Sequence, residues 1–201
     1  MATGAALLGY FLTGVPLWAG VGGTVGFAVG AWAVLYQYLT SESRVVLAHR
    51  VRIGLLAGAA ATAAYDLSRY MLVAVSGSNV RPFAAWPLFG ELLGAGPRTQ
   101  SAALVVGFSY HLVNGLGFAV AFTVVLGDRG VLAGVAWALI LEALMVSFYP
   151  GWLGMKALAE FVSVTIVGHV VYGIVLGFLS RRLVRRDPRA GPMAARPTSQ
   201  T

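Results

Sequence analysis

The stretch AALVVGFSYHLVNGLGFAVAFTVVL, residues 102–126, decides the fold class. It runs 25 residues without an Asp, Glu, Lys or Arg. A helix needs ~20 mostly apolar residues to cross the hydrocarbon core of a bilayer, and this stretch is long enough to do so. Outward from it, residues 53–75, 131–149 and 158–179 read as further spans. Residues 7–39 are uncharged and hold Pro16 and the pair Gly22-Gly23. As one helix they would be ~50 Å long, too long for a bilayer, and as a hairpin each arm would be short. One span over 17–39, preceded by an interfacial or kinked segment, is the preferred reading.

The whole chain carries the same signature. It has 14 Lys plus Arg and 7 Asp plus Glu in 201 residues, far below the ~25% charged share of soluble domains. Its mean hydropathy is +0.79. A soluble chain of this size cannot hide so much apolar surface in one core. A water-soluble enzyme, a disordered chain and an ordinary nucleic-acid-binding domain are therefore excluded. The absence of cysteine excludes disulfides, iron–sulfur clusters and thiolate metal sites. Met1–Gly9 has no basic n-region, so no cleavable signal is expected.

The expected fold class is all-α: a polytopic membrane helix bundle of about five transmembrane helices, filling 1–180, with 77–101 as an outer interfacial loop. Arg44, Arg50 and Arg52, the turn with Arg129, and Arg181, Arg182, Arg185, Arg186, Arg189 and Arg196 fall on one side if the spans alternate. The positive-inside rule makes that side the cytoplasm. The chain is thus expected in the cell membrane, its C-terminus cytoplasmic and its N-terminus outside. Residues 181–201 read as a disordered arginine-rich tail that can touch anionic lipid headgroups. No basic face interleaved with aromatics points to nucleic acid.

Two spans repeat two others. Gly54-x3-Gly58-x7-Asp66 corresponds to Gly130-x3-Gly134-x7-Glu142, and His111-x3-Gly115 to His169-x3-Gly173. Small residues four apart let helix backbones approach closely. The pattern predicts a parallel two-helix repeat, spans 2–3 and 4–5, about an axis along the membrane normal. Glycine-rich faces also allow a homo-oligomer. Chance matching of apolar sequence is the competing explanation.

Ionisable residues inside a span are costly and face a bundle interior or a cavity. Asp66, His111, Glu142 and His169 come from four spans and lie at similar depth; Asp66 is ~14 Å from the outer end of its helix. Two imidazoles and two carboxylates suit a divalent metal ion. They equally suit a proton relay, or two structural pairs that fix helix register in a non-catalytic scaffold or assembly partner. A bis-histidine haem is a more remote option. Asn114 and Tyr172 stand three residues after each histidine as supporting groups. Arg69, one turn after Asp66, can pair with it or reach outward. The repeat places Met145 there, so the halves differ. Glu160 and Lys156 read as an interfacial pair, Glu91 as exposed and His49 as solvated. The apolar run 82–93 is an aromatic belt or a lid over a site below it.

The only lysine, Lys156, is too shallow for a retinal Schiff base. Walker, H-E-x-x-H and G-x-S-x-G motifs are absent. At His111-x3-Gly115, His169-x2-Tyr172-Gly173 and the PLFGELLG stretch 87–94, the chain resembles small prokaryotic multi-pass membrane proteins over about 54–179. That resemblance implies no established activity.

Overall fold

The computed structural model describes residues 6, 9–10, 12–77, 79–153 and 158–190, with side chains at 145–146, 148–153 and 158–161 excepted. The described residues are all-α. The helices are α1 (Leu17–Tyr38), α2 (Ser41–Ser76), α3 (Ala85–Leu92), α4 (Ser101–Leu126), α5 (Val131–Leu153) and α6 (Leu158–Arg186), followed by a 3-10 turn, Pro188–Ala190. Among the described residues, α1, α2, α4 and the Val162–Arg186 part of α6 are long and apolar enough to cross a membrane. Val131–Leu144 of α5 is a shorter apolar stretch.

The helices pack as a row. α4 lies on α2, α2 on α6, and α6 on α5, while α4 and α5 barely meet. The buried centre is built from small and aromatic residues: Ala57, Ala61, Tyr65, Ala119, Phe122, Ala138, Tyr172 and Leu176. Backbones approach closely at the glycines. A Cβ at Gly54 would lie 2.7 Å from Val120 Cα, and one at Gly58 2.6 Å from Ala119 Cβ. A Cβ at Gly173 would lie 2.6 Å from the Gly134 carbonyl oxygen. Close approach multiplies dispersion contacts, which hold helices together where the surroundings give no hydrophobic drive. α1 stands aside. Leu17 is buried with Ala6, Phe89 and Tyr110, but Trp18, Phe27, Trp32 and Leu35 are exposed.

Two boundaries differ from expectation. The segment read as an inner loop, 41–52, is helix, so α2 starts at Ser41. Thr40 caps it by accepting a hydrogen bond from the Ser43 N–H at 3.2 Å. Arginine is expelled from lipid but is a good helix former, so a drop in hydropathy does not end the helix. Gly77, at φ 65°, closes it with a left-handed cap. At the other end, α6 continues through Arg186 rather than leaving the bundle at 180, and Ala190 is fully buried beside Ile53 and Val184. Residues 191–201 lie outside the described residues, as does Lys156 of the expected Lys156–Glu160 pair.

The basic segments gather at one end of the row. Arg50 donates from Nε to the Ala190 carbonyl at 3.1 Å and from Nη1 to the Val124 carbonyl at 2.9 Å. His49, expected to be solvated, lies 2.7 Å from Asp187 through Nδ1. The Arg189 N–H, donated to Asp187 at 2.9 Å, and then His49 hold the Asp187 carboxyl below its ordinary value. A carboxyl so lowered contributes stability above the unfolded value of ~3.9, and that contribution is lost as pH falls below it. Acidification through that range should release 187–190 from α2, read as faster amide exchange there. His49→Ala should speed exchange at neutral pH, and equal protection in the variant would refute the tie.

Candidate functional site

Each predicted site residue on a helix finds a partner on another helix. α2 carries Tyr65, Asp66 and Arg69. Asp66 Oδ2 meets His111 Nε2 of α4 at 3.1 Å, and both side chains are less than one-fifth exposed. Above this pair sits α3. Its Trp86 ring lies 5.5 Å from the His111 ring and is stacked on Phe83 at 4.4 Å. α3 can sit this close because Gly90 and Gly107 have no Cβ, which would strike the backbone of Ala103 and Trp86. The aromatic run is therefore a cover resting directly on His111. Glu91 in the same element is not merely exposed, since Arg98 Nε lies 2.7 Å from it.

The second pair joins α5 to α6. Glu142 is buried, and its Oε1 accepts from the Thr165 hydroxyl at 2.5 Å. Its Oε2 lies 2.7 Å from His169 Nδ1. The ring N–H at Nδ1 is aligned instead on the Thr165 carbonyl, 2.9 Å away. The carboxylate therefore meets the imidazole as a close charge contact, not a linear hydrogen bond.

The two pairs face each other across one residue. The Tyr65 ring lies 5.9 Å from the His111 ring and 4.9 Å, edge-on, from the His169 ring. Gly168 makes room for it, because a Cβ there would lie 2.8 Å from Tyr65 Cε2 and 2.9 Å from Arg69 Cγ. Arg69 neither pairs with Asp66 nor reaches outward. It is buried, its guanidinium lies 4.9 Å over the Tyr65 ring, and Nη2 donates to the Pro82 carbonyl at 2.5 Å. Arg69 Nε and Asp66 Oδ1 are buried without a hydrogen-bond partner.

The four residues thus form two pairs rather than one cluster. Among the described residues no group of three or more His, Asp or Glu could hold a metal ion. Each pair alone offers two donors, fewer than the three or four protein ligands of zinc sites. The supporting residues act nearby: the Tyr172 hydroxyl donates to the Gly115 carbonyl at 2.7 Å, tying α6 to α4, and Asn114 hydrogen-bonds Tyr110. Met145 falls on a side chain outside those described. Tyr65, Thr165, Trp86 and Gly168 were not foreseen. Thr165 had a signal, a hydroxyl one helical turn before His169 on the same face. Tyr65 had only its place beside Asp66.

The family of unknown function DUF6789 matches residues 48–190, more than half of the chain and all four paired residues. No curated protein and no solved structure matches the chain.

Proposed function

We propose, from the premise that the chain belongs to the DUF6789 family of unknown function, that it is a polytopic membrane protein whose buried centre holds one exchangeable proton. The observation that carries this is the pair of histidine–carboxylate contacts flanking Tyr65 with Arg69 beside it. Two carboxylates and one guanidinium leave a formal charge of −1 when both imidazoles are neutral. A net charge in a low-dielectric interior is costly, and one added proton removes it. Two equivalent acceptors, one in each pair, then compete for that proton. This is the elementary requirement of a relay. A divalent metal has no three-donor group to occupy, so the relay is the better reading of the same residues.

The wider reading is a five-span bundle in the cell membrane with a cytoplasmic C-terminus, α5 supplying the fifth span. The clustering of Arg50, Arg129 and Arg181–Arg186 at one end supports that orientation. α2–α4 and α5–α6 are read as parallel copies. Both pairs place glycines where only backbone or a methyl can fit, which favours that reading. The row arrangement leaves α4 and α5 with free outer faces, where a second copy can pack.

The test is proton flux in vesicles. Purified protein is reconstituted with a pH-sensitive dye inside and an imposed potassium diffusion potential. Influx above protein-free vesicles is expected, and it should fall to their level in Glu142→Gln and Asp66→Asn. Wild-type influx equal to protein-free vesicles sinks the relay and favours a scaffold with structural pairs. Stoichiometric divalent metal that disappears in His111→Ala would replace it by the metal reading.

A further inference from the structure

The basic end of the molecule carries a shaped groove as well as charge. It has a volume of about 280 Å³ and is lined by Val131, Phe178, Arg181, Arg182 and Arg185. Val131 opens α5, and the other four lie along the last turns of α6. The two apolar residues are open to the surroundings, Phe178 half exposed and Val131 somewhat less. The guanidiniums are positioned by packing. Arg181 folds over the turn at Gly130, whose φ of 89° suits glycine and where a Cβ would lie 2.9 Å from Arg181 Cδ. Arg182 lies 5.8 Å over the Phe178 ring.

The three cations are not neutralised by the chain. None of them forms an ion pair among the described residues, whose ion pairs are those of His49, Arg98, His111 and His169. Asp187, the acid that follows them, is already engaged by His49 and the Arg189 N–H. Arg181 and Arg185 stand four apart on one helix face, a spacing at which like charges repel. A topogenic signal needs positive charge but no enclosed volume and no apolar floor. Three arginines over an apolar floor fit a phosphate that carries hydrocarbon: guanidinium matches phosphate oxygens bidentately, while Phe178 and Val131 meet an acyl chain. The volume is below that of ordinary drug-sized pockets, which suits a headgroup.

We propose that this groove binds the phosphate headgroup of an anionic phospholipid at the cytoplasmic leaflet. The inference rests on the membrane reading but not on the proton centre. It also moves the expected lipid contact from a disordered tail to ordered residues of α6.

The test uses protein in nanodiscs of mixed phosphatidylglycerol and phosphatidylcholine, with retained lipids counted by native mass spectrometry. Enrichment of phosphatidylglycerol is expected. It should fall about fivefold for each arginine removed, in Arg185→Gln and then Arg181→Gln/Arg185→Gln. Phe178→Ala should lower it with the charge unchanged. Thermal midpoints in phosphatidylcholine alone confirm that the variants fold, and the exposed Arg185→Gln serves if the double variant does not. Equal retention of both lipids, or undiminished enrichment in Arg185→Gln, overturns the proposal. So does inorganic phosphate that alone stabilises detergent-solubilised protein and displaces phosphatidylglycerol, because the ligand is then a soluble anion. Loss of lipid enrichment with proton influx intact separates this site from the buried centre.

Discussion

Gly134→Val should lift α5 off α6 and lower stability by about 3 kcal/mol or more. The added atoms have no side chain to push aside. A Cβ at Gly134 would strike the Gly173 carbonyl oxygen and lie 2.9 Å from Gly177 Cα and N. The approach is mutual, since a Cβ at Gly177 would lie 2.5 Å from the Gly130 carbonyl oxygen. A rotamer change relieves a clash between side chains, but backbone against backbone is relieved only by separating the helices. Overpacking in a well-packed core typically costs 1–3 kcal/mol and sometimes more, and this contact belongs to the upper end. The damage should reach the site. Glu142 is eight residues further along α5, about 12 Å by helical rise, and its contacts with Thr165 and His169 span the same pair of helices. Denaturation in mixed micelles, followed by tryptophan fluorescence, measures the loss. Gly22→Val is the control, because nothing lies within 4 Å of a Cβ there. It should change stability by less than about 0.5 kcal/mol. Equal stability of the two variants would show that α5 and α6 do not meet at Gly134.

This contrast marks what can be read from a single sequence. The glycine spacings of Gly54, Gly58, Gly134 and Gly173 are legible because small residues four apart make a stripe whatever the neighbour. Depth is legible too, because rise per residue is constant. It places Asp66, His111, Glu142 and His169 at one level. Azimuth is not legible. The direction a side chain faces depends on which helices touch, and the contact that decides it, α2 against α6, is made at Gly168, outside the repeated motif. That contact inserts Tyr65 between the histidines and turns an expected single centre into two pairs. Arg69 illustrates the same limit. Its spacing from Asp66 allowed an ion pair, but Pro82 and the Tyr65 ring compete for the guanidinium, and they come from tertiary packing. Hydropathy reported where lipid ends and was silent on where helix ends, so the arginines of 44–52 passed for a loop.

Glu142→Ala should be the most damaging substitution in the centre, and it separates two roles that one side chain combines. Removing one member of a buried charge pair costs about 3–5 kcal/mol, because the other is left without compensation. Glu142 is 3% exposed. Its loss strands the Thr165 hydroxyl and the carboxylate-facing side of His169, and opens a cavity besides. Glu142→Gln keeps the volume and an acceptor for Thr165, so its cost should be clearly smaller. Asp66→Ala should also cost less, since Asp66 keeps 18% side-chain exposure against 4% for Glu142. The charge argument makes a further demand. Without Glu142, Asp66 and Arg69 balance each other, and the centre no longer needs a proton to be neutral. Proton influx should therefore be lost in Glu142→Gln, whose fold is nearly intact, as well as in Glu142→Ala. The double variant Glu142→Leu/His169→Leu decides between the roles. Replacing both partners by apolar groups of similar shape can restore stability, but it leaves a single histidine–carboxylate pair and no second proton acceptor. Stability should recover while influx stays absent. If influx recovers together with stability, the pair serves only to hold α5 on α6, and the proton follows another path.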